Sequence, residues 1–325
     1  MTGKEIVLGI DIGGTNTSFA LVDWEGKCLS LRQIPTRADN PAEQLFKRVF
    51  TKVAEMEKEI SRSYKLSGVG IGAPNGNYYR GTIEDPPNLS WGTVNLVELV
   101  KRYKNLPVVV TNDANAAALG EMKFGAAKSF RNFIQITLGT GLGSGIVVNG
   151  KLVYGHDGFA GEMGHVTVKE NGRRCGCGRR GCLETYASAT GICRTVFELL
   201  SDSNLPSTLR NVPYSQLTAK AIYEAAVSGD QIARQAFRFT GEVLGKALAN
   251  AVAYLSPEAI VLFGGLATAG DLVFQPVQQF MENNLLNIYK GKVKIIPSAL
   301  PSGEAAVLGA AALIWHELHS PNART

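Results

Sequence analysis

At 325 residues the chain is longer than one hydrophobic core usually organises, ~250 to 300 residues, so two lobes are expected. Its 45% hydrophobic and 19% charged content with 36 glycines suits a packed globular protein and excludes a disordered, collagen-like or coiled-coil chain. The 33 Lys plus Arg against 28 Asp plus Glu leave +5, an excess that favours anionic ligands without marking a dedicated nucleic-acid binder.

In chain order, Ile6 to Asp11 and Thr17 to Asp23 are apolar, β-branched runs around Ile12-Gly13-Gly14-Thr15-Asn16, which reads as two strands and a tight glycine turn. Pro41 and Glu43 after Asn40 start a helix whose Leu45, Val49, Val53, Met56 and Ile60 form one apolar stripe. Leu66 to Gly72 is a strand, and 73–92 reads as a long functional loop rich in Pro, Gly and Asn. A short capped helix, Asn95 to Tyr103, precedes the strand Pro107 to Thr111. Asn112-Asp113 then begins an alanine-rich helix, Ala114 to Phe124, which Gly125 stops and beside which the lobe boundary is expected.

A second hairpin, Phe133 to Leu138 and Ser144 to Val148, closes on Gly139-Thr140-Gly141-Leu142-Gly143, and Asn149-Gly150 turns the chain into Lys151 to Tyr154. Beyond the cysteines, helices follow, the longest Asp230 to Leu255 and ended by Pro257. Next come the strand Ala259 to Phe263 with Gly264-Gly265, a helix, the strand Val293 to Ile296 and an apolar helix from Gly303 to about Leu318. Strands and helices alternate, which is the pattern of an α/β protein. The longest apolar run, Ala305 to Trp315, covers 11 residues where a bilayer needs ~20, and no signal segment precedes Ile6. A cytoplasmic protein with no membrane partner is expected.

Two glycine loops after paired strands suggest nucleotide binding. Asp11 stands at a strand end, where a carboxylate can hold Mg²⁺, and Gly13 and Gly14 let backbone N–H groups approach phosphate oxygens. A plain hairpin turn is the alternative for either loop alone. Gly145 to Lys151 matches G-x-x-x-x-G-K, yet Leu152 replaces the Mg²⁺-binding hydroxyl. A dinucleotide fingerprint from Gly139 needs glycine where Ser144 stands.

His165, Cys175, Cys177 and Cys182 supply one imidazole and three thiolates, a complete tetrahedral zinc shell within eighteen residues. Buried thiols or a disulfide are the alternatives; a reducing compartment disfavours the disulfide, and Gly176, Gly178 and Gly181 let the chain wrap an ion. Arg173, Arg174, Arg179 and Arg180 read as a solvated basic rim, since no finger-type recognition helix accompanies them.

Together Asp11-Ile12-Gly13-Gly14-Thr15, Asn112-Asp113-Ala114-Asn115-Ala116, Glu162-Met163-Gly164-His165 and Cys175-x-Cys177-Gly178-x-x-Gly181-Cys182-x-Glu184 resemble the ROK family of bacterial sugar kinases and sugar-responsive repressors. The likeness spans nearly the whole chain. It implies the actin-like (ribonuclease H-like) two-lobed fold, with ATP and sugar meeting in an interlobe cleft. The corresponding division is a small lobe of residues 1–118, on which a last helix of about 304–325 packs back, and a larger lobe of 119–303 with a zinc loop of 165–184.

By the same resemblance, Asp113 takes the proton from a sugar 6-hydroxyl, and Asn112, Glu162, His165 and Glu184 bind ring hydroxyls, His165 serving zinc as well. Asp11, Gly13, Gly14, Thr15, Asn16, Thr140 and Gly141 hold Mg·ATP, and Gly264 and Gly265 contact adenosine. For Asn112-Asp113 a helix cap is the plainer reading, compatible with the first, and for Glu162 and Glu184 it is surface charge. Asn75 follows Pro74 where the family has glycine, a departure on the sugar side. Ten residues precede Asp11, too few for the repressors' winged-helix domain, so no nucleic-acid partner is expected. The implied activity is an ATP-dependent hexose kinase, glucose foremost, with structural zinc and a homodimeric or higher homo-oligomeric assembly. N-acetylglucosamine, N-acetylmannosamine, fructose or allose are alternative acceptors, and a non-catalytic sugar sensor is the alternative of another class.

Overall fold

A computed structural model of the chain describes residues 4–61, 63–301 and 303–319. The described residues divide into two compact units: one holds those up to Ser129, then Leu152–Ala160 and those from Ala299 onward; the other holds Phe130–Lys151 and Gly161–Ser298.

The first unit runs β1 (Lys4–Ile12), β2 (Asn16–Asp23), β3 (Cys28–Pro35), α1 (Ala42–Glu59), β4 (Tyr64–Gly72), the two-residue strands β5 (Gly76–Asn77), β6 (Thr82–Ile83) and β7 (Val94–Asn95), α2 (Leu96–Lys101), β8 (Val108–Thr111) and α3 (Asp113–Lys123). Its main sheet has the order β3-β2-β1-β4-β8, with β1, β4 and β8 parallel and the first hairpin antiparallel. The stripe expected on α1 is its buried face: Leu45, Val49, Val53 and Met56 pack into one core with Ile6, Leu8 and Ile10 of β1.

Two regions differ from expectation. β3 is an edge strand of half-exposed residues, Arg32 and Gln33 among them, so its apolar signal is diluted. The expected loop at 73–92 contains β5 and β6, which with β7 form a three-stranded sheet too short to leave a periodic pattern.

The second unit contains β9 (Phe133–Leu138), β10 (Leu142–Val148), α4 (Ala189–Asp202), α5 (Ala219–Val227), α6 (Gln231–Leu255), β12 (Ala259–Phe263), α7 (Asp271–Asn284) and β13 (Lys294–Pro297); the two-residue β11 (Lys151–Leu152), between β10 and α4, pairs with its sheet at the point where the chain passes to the first unit. Its sheet order is β11-β10-β9-β12-β13. As in the first sheet, a central strand pairs antiparallel with the next strand and parallel with a later one. Asp230 caps α6, its side chain accepting from Ala233 N at 3.1 Å, and Leu244, Leu248 and Val252 share a core with Val273, Val277 and Met281 of α7.

α8 (Ala305–His319) returns to the first unit and lies across β1, β4 and α3. Its approach is close: a Cβ added at Gly70 would sit 1.9 Å from the Ala310 carbonyl oxygen, so β4 needs glycine there. The division expected after residue 118 falls inside α3, which is packed along α8 and stays whole in the first unit. Residues 152–160 also join that unit. Tyr154 stacks on Tyr78 with ring centroids 3.9 Å apart, and Asn77 Nδ2 donates to the Asp157 carbonyl at 2.7 Å. Among the described residues no helix is long and apolar enough to cross a membrane.

Candidate active site

In the first unit the strand register sets the chemistry. Asp11 pairs with Gly72, and Gly72 with Thr111, so the carboxyl ends of three parallel strands stand in a row. Open α/β sheets bind ligands at such ends. The chain leaves β8 through Asn112 and Asp113, and both side chains accept from Ala114 N, at 2.9 and 2.8 Å. Asn112 is therefore the helix cap, as its plainer reading held, and the cap holds Asp113 beside Asp11. A Cβ at Gly72 would lie 3.7 Å from Asp113 Cα and 3.8 Å from Asp11 Oδ1.

Burial first, and then the charge of Asp113, push the Asp11 carboxyl up to about 7. Asp113 also moves up because protein surrounds it densely, partly offset by the Ala114 amide. Asp113 is nonetheless an exposed residue, which tempers that shift. Two carboxylates that each resist ionisation form a site that a cation would relieve.

The first glycine loop closes by a hydrogen bond from Gly13 N to Asn16 O of 3.0 Å, leaving Thr15 and Asn16 exposed. Thr36, just past β3, braces the loop: its Oγ1 donates to the Gly13 carbonyl at 2.6 Å and its N to that of Thr15 at 2.8 Å. Sequence reading missed Thr36 because it missed β3. Asn75 sits at φ +53°, in the left-handed region that glycine and asparagine share, and its Nδ2 donates to the carbonyls of Glu84 and Asp85. Asparagine tolerates that conformation and here adds a brace.

In the second unit Thr140 and Gly141 form the tip between β9 and β10, and Gly264-Gly265 ends the neighbouring β12. Gly264, at φ +101°, lies so close to β9 that a Cβ would meet the Leu138 carbonyl at 2.6 Å. Leu266 N donates to that same carbonyl, which brings the two glycine segments together. Thr140 and Gly265 are exposed.

Glu162, also exposed, precedes the turn Met163–His165, which Ser144 fastens to β10: its hydroxyl donates to the Gly161 carbonyl and accepts from Met163 N. Ser144 is a second missed residue, noted in the sequence only as the wrong residue for a dinucleotide loop.

His165, Cys175, Cys177 and Cys182 converge, their ligand atoms all within 4.8 Å of one another. Cys177 Sγ lies 3.7 Å from Cys182 Sγ, and Cys175 Sγ lies 3.6 Å from His165 Nδ1. A tetrahedral zinc with ~2.3 Å bonds to sulfur and ~2.1 Å bonds to nitrogen has edges of about these lengths, so the donor set fits zinc. Glu184 borders the cluster: Oε1 lies 3.3 Å from Cys175 Sγ, and Oε2 accepts from Leu142 N of the glycine loop at 3.2 Å. It is a bridge between loops and not loose surface charge.

The expected basic rim holds for Arg174, Arg179 and Arg180, which are exposed, but not for Arg173, which is buried and fully hydrogen-bonded. A cavity of about 700 Å³ lies within the second unit, between residues 163–169 and α6.

Comparison with known proteins finds one family. The sequence profile of the ROK family matches residues 7–317. A glucokinase of Halalkalibacterium halodurans is 38% identical over 85% of this chain and 84% of its own length, and a glucokinase of Thermotoga maritima is 35% identical over 95% and 96%. Among solved structures, a ROK family glucokinase from Streptomyces griseus in complex with glucose and AMPPNP aligns with a TM-score of 0.80 and 35% identity, covering 95% of this chain and 98% of that one.

Proposed function

The chain belongs to the ROK family and has the actin-like two-lobed fold of its sugar kinases; on that footing we propose that it is an ATP-dependent glucokinase, transferring the γ-phosphoryl group to the 6-hydroxyl of glucose. The observation that carries the reading is the pair of carboxylates, Asp11 and Asp113, at the ends of parallel strands that also carry a glycine loop.

Asp113 accepts the proton of the sugar 6-hydroxyl as that oxygen bonds to the γ-phosphorus and the bond to the leaving ADP oxygen breaks. Its raised carboxyl makes it a stronger base than an ordinary aspartate. Asn112, Glu162, His165 and Glu184 hold the ring hydroxyls, and His165 has Nε2 for this because Nδ1 faces Cys175. Gly13, Gly14, Thr15, Asn16, Thr140 and Gly141 take the phosphates, and Gly264-Gly265 the adenosine. Asp11 is the residue that fits Mg²⁺, which when bound supplies charge neutralisation on the phosphates. Zinc, held by His165 and the three cysteines, is structural, since those four fill its shell.

The retained Asp113 and both loops favour a working kinase over a sugar sensor. A thiolate zinc shell needs its three cysteines reduced, which suits the cytoplasm as the proposed location. A homodimer or larger homo-oligomer is the proposed assembly, supported by Val166 and Tyr254, 54% and 87% exposed at the apolar groove along α6, and measurable by sedimentation velocity.

The test is ADP release across a hexose panel. Glucose should give the highest kcat/KM. Another hexose tenfold better would replace glucose as acceptor, and a panel in which no sugar releases ADP would end the kinase reading.

A further inference from the structure

We propose that Arg173 is a positioning residue for sugar binding: its buried guanidinium clamps the turn Leu183–Thr185 onto α4 and so holds Glu184 in place. The inference rests on the role given to Glu184 above.

The turn needs a clamp. It is one round of 3-10 helix, held by Thr185 N to Cys182 O and Tyr186 N to Leu183 O, both 3.0 Å, and by Ala187 N to Leu183 O at 2.9 Å. Cys182 anchors its leading end through the metal cluster. Glu184 lies two residues further on, beyond that anchor. Two groups supply the trailing one: Ser188 Oγ, at the cap of α4, donates to the Glu184 carbonyl at 2.7 Å, and Arg173 Nη1 donates to the Thr185 carbonyl at 2.7 Å and to the Gly191 carbonyl, in the first turn of α4, at 3.1 Å.

The rest of the guanidinium is equally committed. Nη2 donates to Thr195 Oγ1 at 2.9 Å and to Glu198 Oε2 at 2.6 Å, and Nε to Glu198 Oε1 at 2.8 Å. The group lies 4.5 Å over the Tyr186 ring, whose hydroxyl accepts from Arg173 N at 2.8 Å. One planar cation therefore joins the cysteine loop, the Glu184 turn and α4. A buried ion pair often adds little net stability, so geometry is the stronger reason for this one. Lysine cannot replace it, because a single ammonium lacks the fork that spans Glu198 and two carbonyls.

The test is steady-state kinetics of Arg173→Lys with zinc content and thermal midpoint measured alongside. Loss of a residue that orients a ligand commonly costs ~10- to 100-fold, so the glucose KM should rise by about tenfold or more with the Mg·ATP KM little changed. The rise should vanish in a Glu184→Gln background, since Arg173 acts through Glu184. A purely structural arginine would lower the thermal midpoint and leave the glucose KM of the folded protein at the wild-type value, and that outcome overturns the proposal. So does an equal rise in the Glu184→Gln background.

If Arg173→Lys does not fold, Glu198→Gln weakens the same fork from its exposed end and should raise the glucose KM severalfold; an unchanged value there also overturns it. A wild-type protein that phosphorylates no glucose undoes the proposed function, and a Glu184→Gln enzyme with unchanged glucose KM removes both roles. A wild-type KM in Arg173→Lys beside a raised one in Glu184→Gln removes only this one.

Discussion

Asp11 and Asp113 share a site but should declare themselves in different measurements. With its carboxyl raised to about 7, native Asp11 holds a proton that the unfolded chain, at about 3.8, has released. The stability this contributes is fully present below about pH 4 and is lost as pH rises through about 7, at up to ~1.4 kcal/mol per pH unit. Thermal midpoints of ligand-free protein between pH 4 and 8 should show that decline, and Asp11→Asn should flatten it; identical profiles would show that Asp11 is ordinary. Asp113→Asn keeps the size of the side chain and removes the base, so kcat should fall by ~10² to 10⁴ while glucose still binds. Turnover near the wild-type rate would take Asp113 out of the mechanism. The identity of both carboxylates was readable because each sits in a short motif at a strand end. Thr36 and Ser144 were not, since a hydroxyl that braces a neighbouring loop through backbone carbonyls and amides leaves no spacing to recognise.

The strongly patterned elements were the ones the sequence disclosed, α1 by its apolar stripe, α6 by its length up to Pro257 and the two hairpins by their glycine turns. β3 and β5 to β7 escaped, because a half-exposed edge strand and two-residue strands are defined by pairing partners and not by their own residues. Arg173 was misjudged for a related reason, its flanking arginines being exposed while it alone turns inward toward α4. Two elements carry sharp expectations. Gly70→Ala forces a methyl against the Ala310 carbonyl of α8 and should cost at least ~1 to 3 kcal/mol by urea unfolding; a neutral result would mean that α8 shifts easily. Purified, reduced protein should carry about one zinc per chain, and Cys177→Ser should lose it. Because Glu184 touches the same cluster, that variant should also show a higher glucose KM; zinc lost with KM unchanged would uncouple the loop from the sugar.

At the level of the whole molecule, a sugar that binds only the native state should raise the unfolding free energy by ~2.7 kcal/mol at a hundred times its Kd. A thermal shift with glucose and none with a sugar the enzyme cannot use would show the selectivity without turnover. The order in which the units are written along the chain has a further consequence. β1, β4 and α3 are made first, but α8, which covers them, is made only after 161–298 has supplied nearly all of the other unit. During synthesis on the ribosome the nascent first sheet therefore waits with an apolar face bare, and it cannot finish until its neighbour has been translated. Long-range closure of this kind is slow and leaves sticky surface exposed, so the growing chain should lean on chaperones most while the second unit is being made.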